Sequence, residues 1–214
     1  MLDPEFDSSY IKNGIKYLCG TDEAGRGPLA GPVVAASCIL KPGVVIPCLD
    51  DSKKLTEKKR EKLFDVIIEN CLAYGIASSS PSEIDEINIL SASLLAMKRA
   101  VSSMSIVPDL ILVDGNRAKG FDQTAIAVVK GDAKSQSIAA ASVLAKVTRD
   151  RLCAALDVIY PQYGFAKHKA YPTKEHMAAV YKFGPCPEHR ETFLSFLVTK
   201  ADYIKSYLSE NEEV

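Results

Sequence analysis

The sequence predicts a three-layer α/β domain built on a mixed sheet. Apolar runs of strand length alternate with stretches of helical periodicity from Tyr17 onward. Before that alternation sets in, an initial pair of strands is joined by a short connection, so the sheet mixes strand directions. Three runs carry acids at or just past their C-terminal ends: Asp22 with Glu23, Asp114, and Asp132. Ligands gather at those ends in open α/β sheets.

Residues 1–13 are polar and acidic, residues 1–14 are read as an N-terminal lead-in, and residues 1–9 as its floppy start. Tyr17, Leu18 and Cys19 form a short buried strand that ends at Asp22 and Glu23. Adjacent strand residues point to opposite faces, so only one of the two carboxylates can look straight across a flat sheet. The other has to be aimed by a bulge or by the turn. Gly25 and Gly27 permit backbone conformations that a side chain would block, and Arg26 between them supplies a cation. A second strand covers 33–40, and Lys41, Pro42 and Gly43 mark a turn.

Residues 49–55 form a polar loop, after which Thr56 caps a helix to about Asn70, with Leu63, Val66 and Ile67 on its apolar face. A third strand covers 72–80. Ser82 with Asp85 resembles a capping box in which Asp replaces Glu, and its helix runs to about Met104 with Ile89, Leu90, Leu94, Met97 and Val101 on one face. The run 110–113 is uninterrupted and reads as a strand buried on both faces, ending at Asp114. The run 124–129 is another, ending at Lys130, Gly131 and Asp132. A long helix covers about 135–159, and its three alanines at 139–141 permit close packing on the sheet. Residues 161–172 are irregular, and helices are expected over about 173–183 and 188–208. The acidic tail 209–214 is expected to fray.

A chain of 214 residues with 47% hydrophobic content supports one large domain with a sizeable core. No apolar run approaches the length of a membrane span, and the N-terminus lacks a basic, apolar secretory signal. The six cysteines are scattered without a Cys-x-x-Cys pair, which fits a reducing cytoplasm and no disulfides. Cys186 and His189 with His176 could form half a zinc site, but no second close-spaced pair supports it. Net charge is −1, so nucleic-acid binding would come from local basic patches.

Packed together without cations, four carboxylates repel and raise one another's pKa values. A hard divalent cation reverses that penalty. An all-oxygen donor set favours Mg²⁺ or Mn²⁺ over zinc. One or two such ions on Asp22, Glu23, Asp114 and Asp132 point to metal-assisted phosphodiester hydrolysis. Singly, Asp114 and Asp132 read as ordinary turn formers in Asp-Gly and Gly-Asp dipeptides; three acid-bearing strand ends in one small domain favour the metal. Lys53 and Lys54 precede a helix N-terminus, a place that attracts anions. Lys146 and Arg149 are near-neighbours on one helix face, while Arg151 points elsewhere; Lys146 joins the substrate-binding candidates. Lys167, His168, Lys169 and Tyr171 interleave basic and aromatic residues, as a nucleic-acid strand binder can.

The stretches DEAGRGPLAGPVVAA, DDSKKLTEKKRE, EIDEINIL, VDGN, VVKGDAKSQSIAAASVLAKVTRD and YGFAKHKAYPTKEH resemble bacterial ribonuclease HII, in that family's order and spacing, over about 17–190. The resemblance implies a ribonuclease H-like fold, with a central five-stranded mixed sheet flanked by helices and a helical C-terminal segment. It implies one type-2 ribonuclease H domain over 15–208, its C-terminal helices starting near 173. It further implies a cytoplasmic endonuclease acting on RNA–DNA hybrids and on duplex DNA with embedded ribonucleotides. That enzyme would be a monomer without an obligate protein partner and would leave 5′-phosphate and 3′-hydroxyl ends. The family's acidic quartet falls on Asp22, Glu23, Asp114 and Asp132. Its 2′-hydroxyl-reading element falls on Gly25, Arg26 and Gly27, its substrate lysines on Lys53 and Lys54, and its junction tyrosine on Tyr171. Ala170 stands where the bacterial pattern has Gly, which puts the placement of Tyr171 in question. The sister ribonuclease HIII has Glu in place of the fourth acid and an added N-terminal domain; neither feature is present here. A related junction resolvase would ignore the 2′-hydroxyl, and a non-catalytic binding module would hold hybrid without metal and never cut it.

Overall fold

The computed structural model describes residues 2–11 and 14–211. Five strands form one sheet: β1 (Leu18–Ala24), β2 (Val33–Leu40), β3 (Cys71–Ser79), β4 (Leu110–Asp114) and β5 (Ala125–Val128). Their spatial order is β3-β2-β1-β4-β5. The pairs β1–β2 and β2–β3 are antiparallel, whereas β1–β4 and β4–β5 are parallel. The mixed five-stranded sheet is the expected one.

Helices cover both faces. In chain order they are α1 (Pro4–Ser8), α2 (Glu57–Asn70), α3 (Pro81–Ser102), α4 (Gln136–Ile159), α5 (Phe165–His168), α6 (Lys174–Phe183), α7 (Phe196–Thr199) and α8 (Ala201–Asn211). On one face, α3 buries Ala92, Ala96, Met97 and Ala100 against Cys19, Val33, Ala35, Ile111 and Val113. On the other, Leu63 and Ile67 of α2 and the alanines of α4 pack on Ala36 and Cys38. The start of α4 lies on the bare backbone of β1: a Cβ at Gly20 would stand 2.2 Å from the carbonyl carbon of Ser137. A third core, with Tyr163, Phe165, Met177, Val180 and Ile204, packs on Leu29 and Ala30 and holds the C-terminal helices to the sheet.

Four elements differ from the sequence reading. β1 does not stop at the acids; it pairs with β2 through Glu23↔Ala35 and Ala24↔Val34 in regular register. No bulge aims either carboxylate. The capping box of α3 lies two residues earlier than expected: Ser80 Oγ accepts the Glu83 N–H at 3.2 Å and Glu83 Oε2 accepts the Ser80 N–H at 2.8 Å. α3 also breaks at Asn88, whose φ is 66°, and the Asn88 side chain caps the second half by accepting from Leu90 and Ser91.

The single helix expected over 188–208 is instead a short turn followed by α7 and α8. His189 makes a β-bridge to Ala30, and the Arg190 N–H donates to Leu29 O at 2.8 Å, so the start of that stretch is extended. Asp85 then accepts the N–H groups of Glu191 and Thr192 and starts the turn afresh.

The lead-in is also not featureless. Asp3 caps α1, and Asp7 Oδ2 accepts both the N–H and the hydroxyl of Ser137 at 2.8 Å each. Those are donors in the first turn of α4, where an anion is favoured. Met1, Lys12 and Asn13 lie outside the described residues, as does the tail beyond Asn211. Asp7→Ala should therefore lower stability by about 1–2 kcal/mol, or roughly 2–8 °C in Tm. A thermal melt unchanged from the wild type would show that α1 only rests on α4.

Candidate active site

β1 and β4 stay paired only as far as Thr21↔Val113. Just past that point the strands carry Asp22, Glu23 and Asp114, so the acids sit where the central parallel pair ends. Asp22 faces α4 beside Ser142 and is 5% exposed, and its Oδ1 accepts the Glu23 N–H at 2.7 Å. Glu23 points to the opposite face, where Arg26 Nη1 lies 3.3 Å from its Oε1. Asp114 Oδ1 accepts the Gly131 N–H at 2.7 Å and faces the Asp132 N–H at 3.4 Å. That contact folds the turn after β5 back toward the first acids and brings Asp132 to them. The turn begins at Lys130, a non-glycine with φ 56°.

Two clefts share Asp114. One is lined by Lys53, Lys54, Lys130 and Asp132, the other by Glu23, Arg26, Asn116 and Arg117. A cavity of 610 Å³ lies elsewhere, between the N-terminus and the loop that includes Val44 and Leu55.

Burial, then the charges of Glu23 and Asp114, push the Asp22 carboxyl well above the ordinary carboxylate range. Glu23 is raised by burial and by Asp114, against the pull of Arg26. Asp132 is raised by burial, Asp114 and Asp51, against Lys53. Such a set favours any partner that brings positive charge among the oxygens. The donor chemistry fits a hard divalent cation. As the side chains stand, no group of three among the described residues closes around one point. Glu23 is paired with Arg26, and Lys53 lies 3.8 Å from Asp132 while 82% exposed. Both cations are free to swing into solvent.

The loop at Gly25 depends on two buried arginines. Gly25 has φ +100°, and a Cβ there would stand 2.1 Å from Arg149 Nε. Arg190, fully buried, donates to the carbonyls of Gly25 at 2.7 Å, Arg26 at 3.1 Å and Gly31 at 2.8 Å. Arg149 donates to Ala30 O at 3.2 Å and Lys169 O at 3.0 Å. The pairing of Arg149 with Lys146 as surface neighbours is thus corrected: Arg149 is 1% exposed and acts as an internal strut. Lys146 is bonded to Asp150 at 2.6 Å, which also faces Arg60 at 3.5 Å, and this ties it along α4 rather than to the acids. Lys54 pairs with Asp50 at 3.2 Å. The Ser52 hydroxyl, 2.9 Å from that of Ser142, seats the lysine loop beside Asp22.

Tyr171 is 43% exposed. A Cβ at Gly27 would touch its ring at 3.4 Å, so the glycine loop and the distant basic loop meet. Ala170 does not expel the tyrosine. It adopts φ 62° itself, buries its methyl in the C-terminal core, and accepts the Leu29 N–H at 2.8 Å. The three residues weighed as half a zinc site do meet, but among the described residues no group of three metal-ligating side chains forms. His176 and His189 bond to each other, and Cys186 bonds to His189. Sequence reasoning missed Arg190 and Lys130. Arg190 reads as surface unless its burial is known, and nothing in the sequence marks the left-handed backbone of the exposed Lys130, so neither carried a signal.

The sequence profile described as Ribonuclease HII matches residues 19–196. The chain is 56% identical over 179 residues to Ribonuclease HII 1 of Methylibium petroleiphilum, covering 84% of this chain and 90% of that one. It is 49% identical over 190 residues to Ribonuclease HII of Caldicellulosiruptor saccharolyticus, covering 89% and 93%. Among solved structures, the ribonuclease H2 of Pyrococcus horikoshii superposes with a TM-score of 0.69 at 30% identity, covering 92% of this chain and all of that one.

The raised carboxyls have a consequence for stability. A group that binds its proton more tightly when folded stabilises the fold at acid pH, and that contribution is lost as pH rises through its folded pKa. In metal-free protein, Asp22→Asn should therefore be more stable than wild type at neutral pH. The gap should close toward about pH 4, where the unfolded carboxyl protonates. Urea midpoints in EDTA across that range test it; a variant that is weaker at neutral pH would contradict the repulsion.

Proposed function

The chain belongs to the ribonuclease HII family of ribonuclease H hydrolases, and on that premise we propose that it is a divalent-metal-dependent endonuclease. It cuts the RNA strand of RNA–DNA hybrids and cuts on the 5′ side of single ribonucleotides embedded in duplex DNA, leaving 5′-phosphate and 3′-hydroxyl ends. One unit, residues 15–208 with the helices after 173 included, carries the activity; the packing of the C-terminal core on Leu29 and Ala30 supports that extent.

The observation that carries the reading is the gathering of Asp22, Glu23, Asp114 and Asp132 at the strand ends, with the Gly27–Tyr171 contact beside them. These four acids would hold one or two Mg²⁺ or Mn²⁺. Such ions, when bound, activate water and offset charge on a phosphodiester undergoing in-line displacement. The chain's own groups do the rest. Asp114, shared by both clefts and oriented by the Gly131 N–H, links the two sides of the site. Gly25, Arg26 and Gly27 read the 2′-hydroxyl through backbone groups, in a loop held still by Arg190. Lys53 and Lys54 neutralise backbone phosphates. Tyr171 packs on the deoxyribose that follows the ribonucleotide. No side chain needs to act as the nucleophile.

The direct test is a duplex with one embedded ribonucleotide, an all-DNA control, and Mg²⁺, Mn²⁺ or EDTA. We expect one cut 5′ of the ribonucleotide with either metal, none in EDTA and none in the control. Asp114→Asn should abolish cutting while leaving the metal-free melt unchanged or slightly raised. Near-wild-type cleavage by that variant would remove Asp114 from the site. At a hundredfold excess over its dissociation constant, the metal should stabilise the fold by about 2.7 kcal/mol.

The lysines make a separate expectation. Removing one lysine–phosphate pairing should reduce the slope of log affinity against log salt by about 0.9. For the Lys53→Ala, Lys54→Ala double variant the hybrid-binding slope should fall by up to about 1.8. An unchanged slope would show that both merely decorate the loop.

A further inference from the structure

All three histidines of the chain lie together beneath Tyr171. His168 stacks on His176 with ring centroids 4.6 Å apart, and His176 lies 5.3 Å from His189. Two of them form a hydrogen-bonded line whose ends are chemically fixed. At one end, the Cys186 backbone N–H, which can only donate, points at Nδ1 of His189 at 3.0 Å. The Cys186 thiol lies 3.2 Å from the same nitrogen. His189 Nδ1 is therefore an acceptor, and its hydrogen sits on Nε2. Nε2 of His189 is 3.1 Å from Nε2 of His176, so the latter accepts and His176 carries its hydrogen on Nδ1. That Nδ1 lies 3.0 Å from the carbonyl oxygen of Tyr171, which can only accept. Each assignment forces the next, and the line has one direction.

We propose that His189 and His176 are positioning residues for Tyr171, a directional pair of neutral imidazoles that fixes its carbonyl and so aims its ring at Gly27. The inference rests on the reading of Tyr171 given above. Burial lowers both histidines to about 4, which keeps them neutral and the line intact at physiological pH.

The need for such a device is visible in the backbone. Lys169 and Ala170 are consecutive non-glycine residues with φ 51° and 62°. Two strained residues in a row favour relaxation. Three successive carbonyls oppose it: Lys169 O takes Arg149, Ala170 O takes the Leu29 N–H, and Tyr171 O takes both the Thr173 N–H at 2.8 Å and His176. His189 also adjoins Arg190, which holds the carbonyls of Gly25 and Arg26. Neighbouring residues thus serve the two substrate-reading elements, one each.

The first test needs no variant. Correlation spectra of the histidine ring nitrogens in the intact protein should show His176 protonated on Nδ1 and His189 on Nε2. His176 protonated on Nε2 would overturn the relay. The second test compares kcat/KM on a duplex with one embedded ribonucleotide and on a long hybrid. Tyr171→Ala should depress the first relative to the second by about tenfold. His176→Leu should do so by about threefold to tenfold. His176→Asn, whose amide N–H replaces Nδ1–H, should recover most of the ratio. In the Tyr171→Ala background, His176→Leu should add nothing to it. A wild-type ratio in His176→Leu, with Tyr171→Ala still impaired, would sink the relay and leave the tyrosine reading standing. A wild-type ratio in Tyr171→Ala would sink that reading, and the positioning role with it. If His176→Leu does not fold, the ring spectra and His176→Asn still decide.

Discussion

Two guanidinium groups sealed from water hold this structure in its working shape. Between them Arg149 and Arg190 bond to the carbonyls of Gly25, Arg26, Ala30, Gly31 and Lys169. A buried cation without a contacting carboxylate is expensive unless hydrogen bonds replace its water. Here the replacement comes from backbone carbonyls that would themselves be left unpaired in the interior. Burial and the nearby Arg149 draw Arg190 down to about 9, with Asp85 pulling the other way, and it keeps its charge at neutral pH. The result joins three remote pieces of chain: the turn after the first acids, the basic loop, and the extended segment that precedes the last helices.

The acids lie at the other extreme. Around Asp22 the folded chain gathers like charges that resist one another. That tension is tolerable because the sheet beneath is packed on both faces, by α3 on one side and by α2 and α4 on the other. Stability is thus concentrated in the layers, and the strand ends are free to be electrostatically unfavourable. The same division explains why the exposed Arg26 and Lys53 contact acids without locking them.

What could be read from the sequence was mostly local. β2, α2 and α4 follow from apolar runs, periodicity and caps, and each matches its expected limits to about a residue. The acids stood out because a core has no use for them, and the structure brings Asp22, Glu23, Asp114 and Asp132 to neighbouring strand ends. The extension of β1 through Asp22 and Glu23 was hidden, because it depends on pairing to Ala35 and Ala36 across the sheet. The broken C-terminal helix was hidden for a similar reason: periodicity carries no word of the bridge from His189 to Ala30. Arg149 read as surface because its partners come from residues more than a hundred positions earlier. The histidine line has no motif at all, since His168, His176 and His189 meet only through the turns of the chain.

Gly20 gives the molecule a fulcrum. Helix α4 rests on it, and the helix carries Ser142 beside Asp22 at one point and Arg149 against Gly25 at another. Any bulk at that contact would lift the helix, and both attachments would move with it. A residue with no polar side chain, buried at the middle of the sheet, thereby sets the spacing between the acids and the glycine loop. The map of sensitive positions in this chain will not follow distance from the acids. It will follow the lever arm of α4, with a bare stretch of β-strand backbone as its pivot.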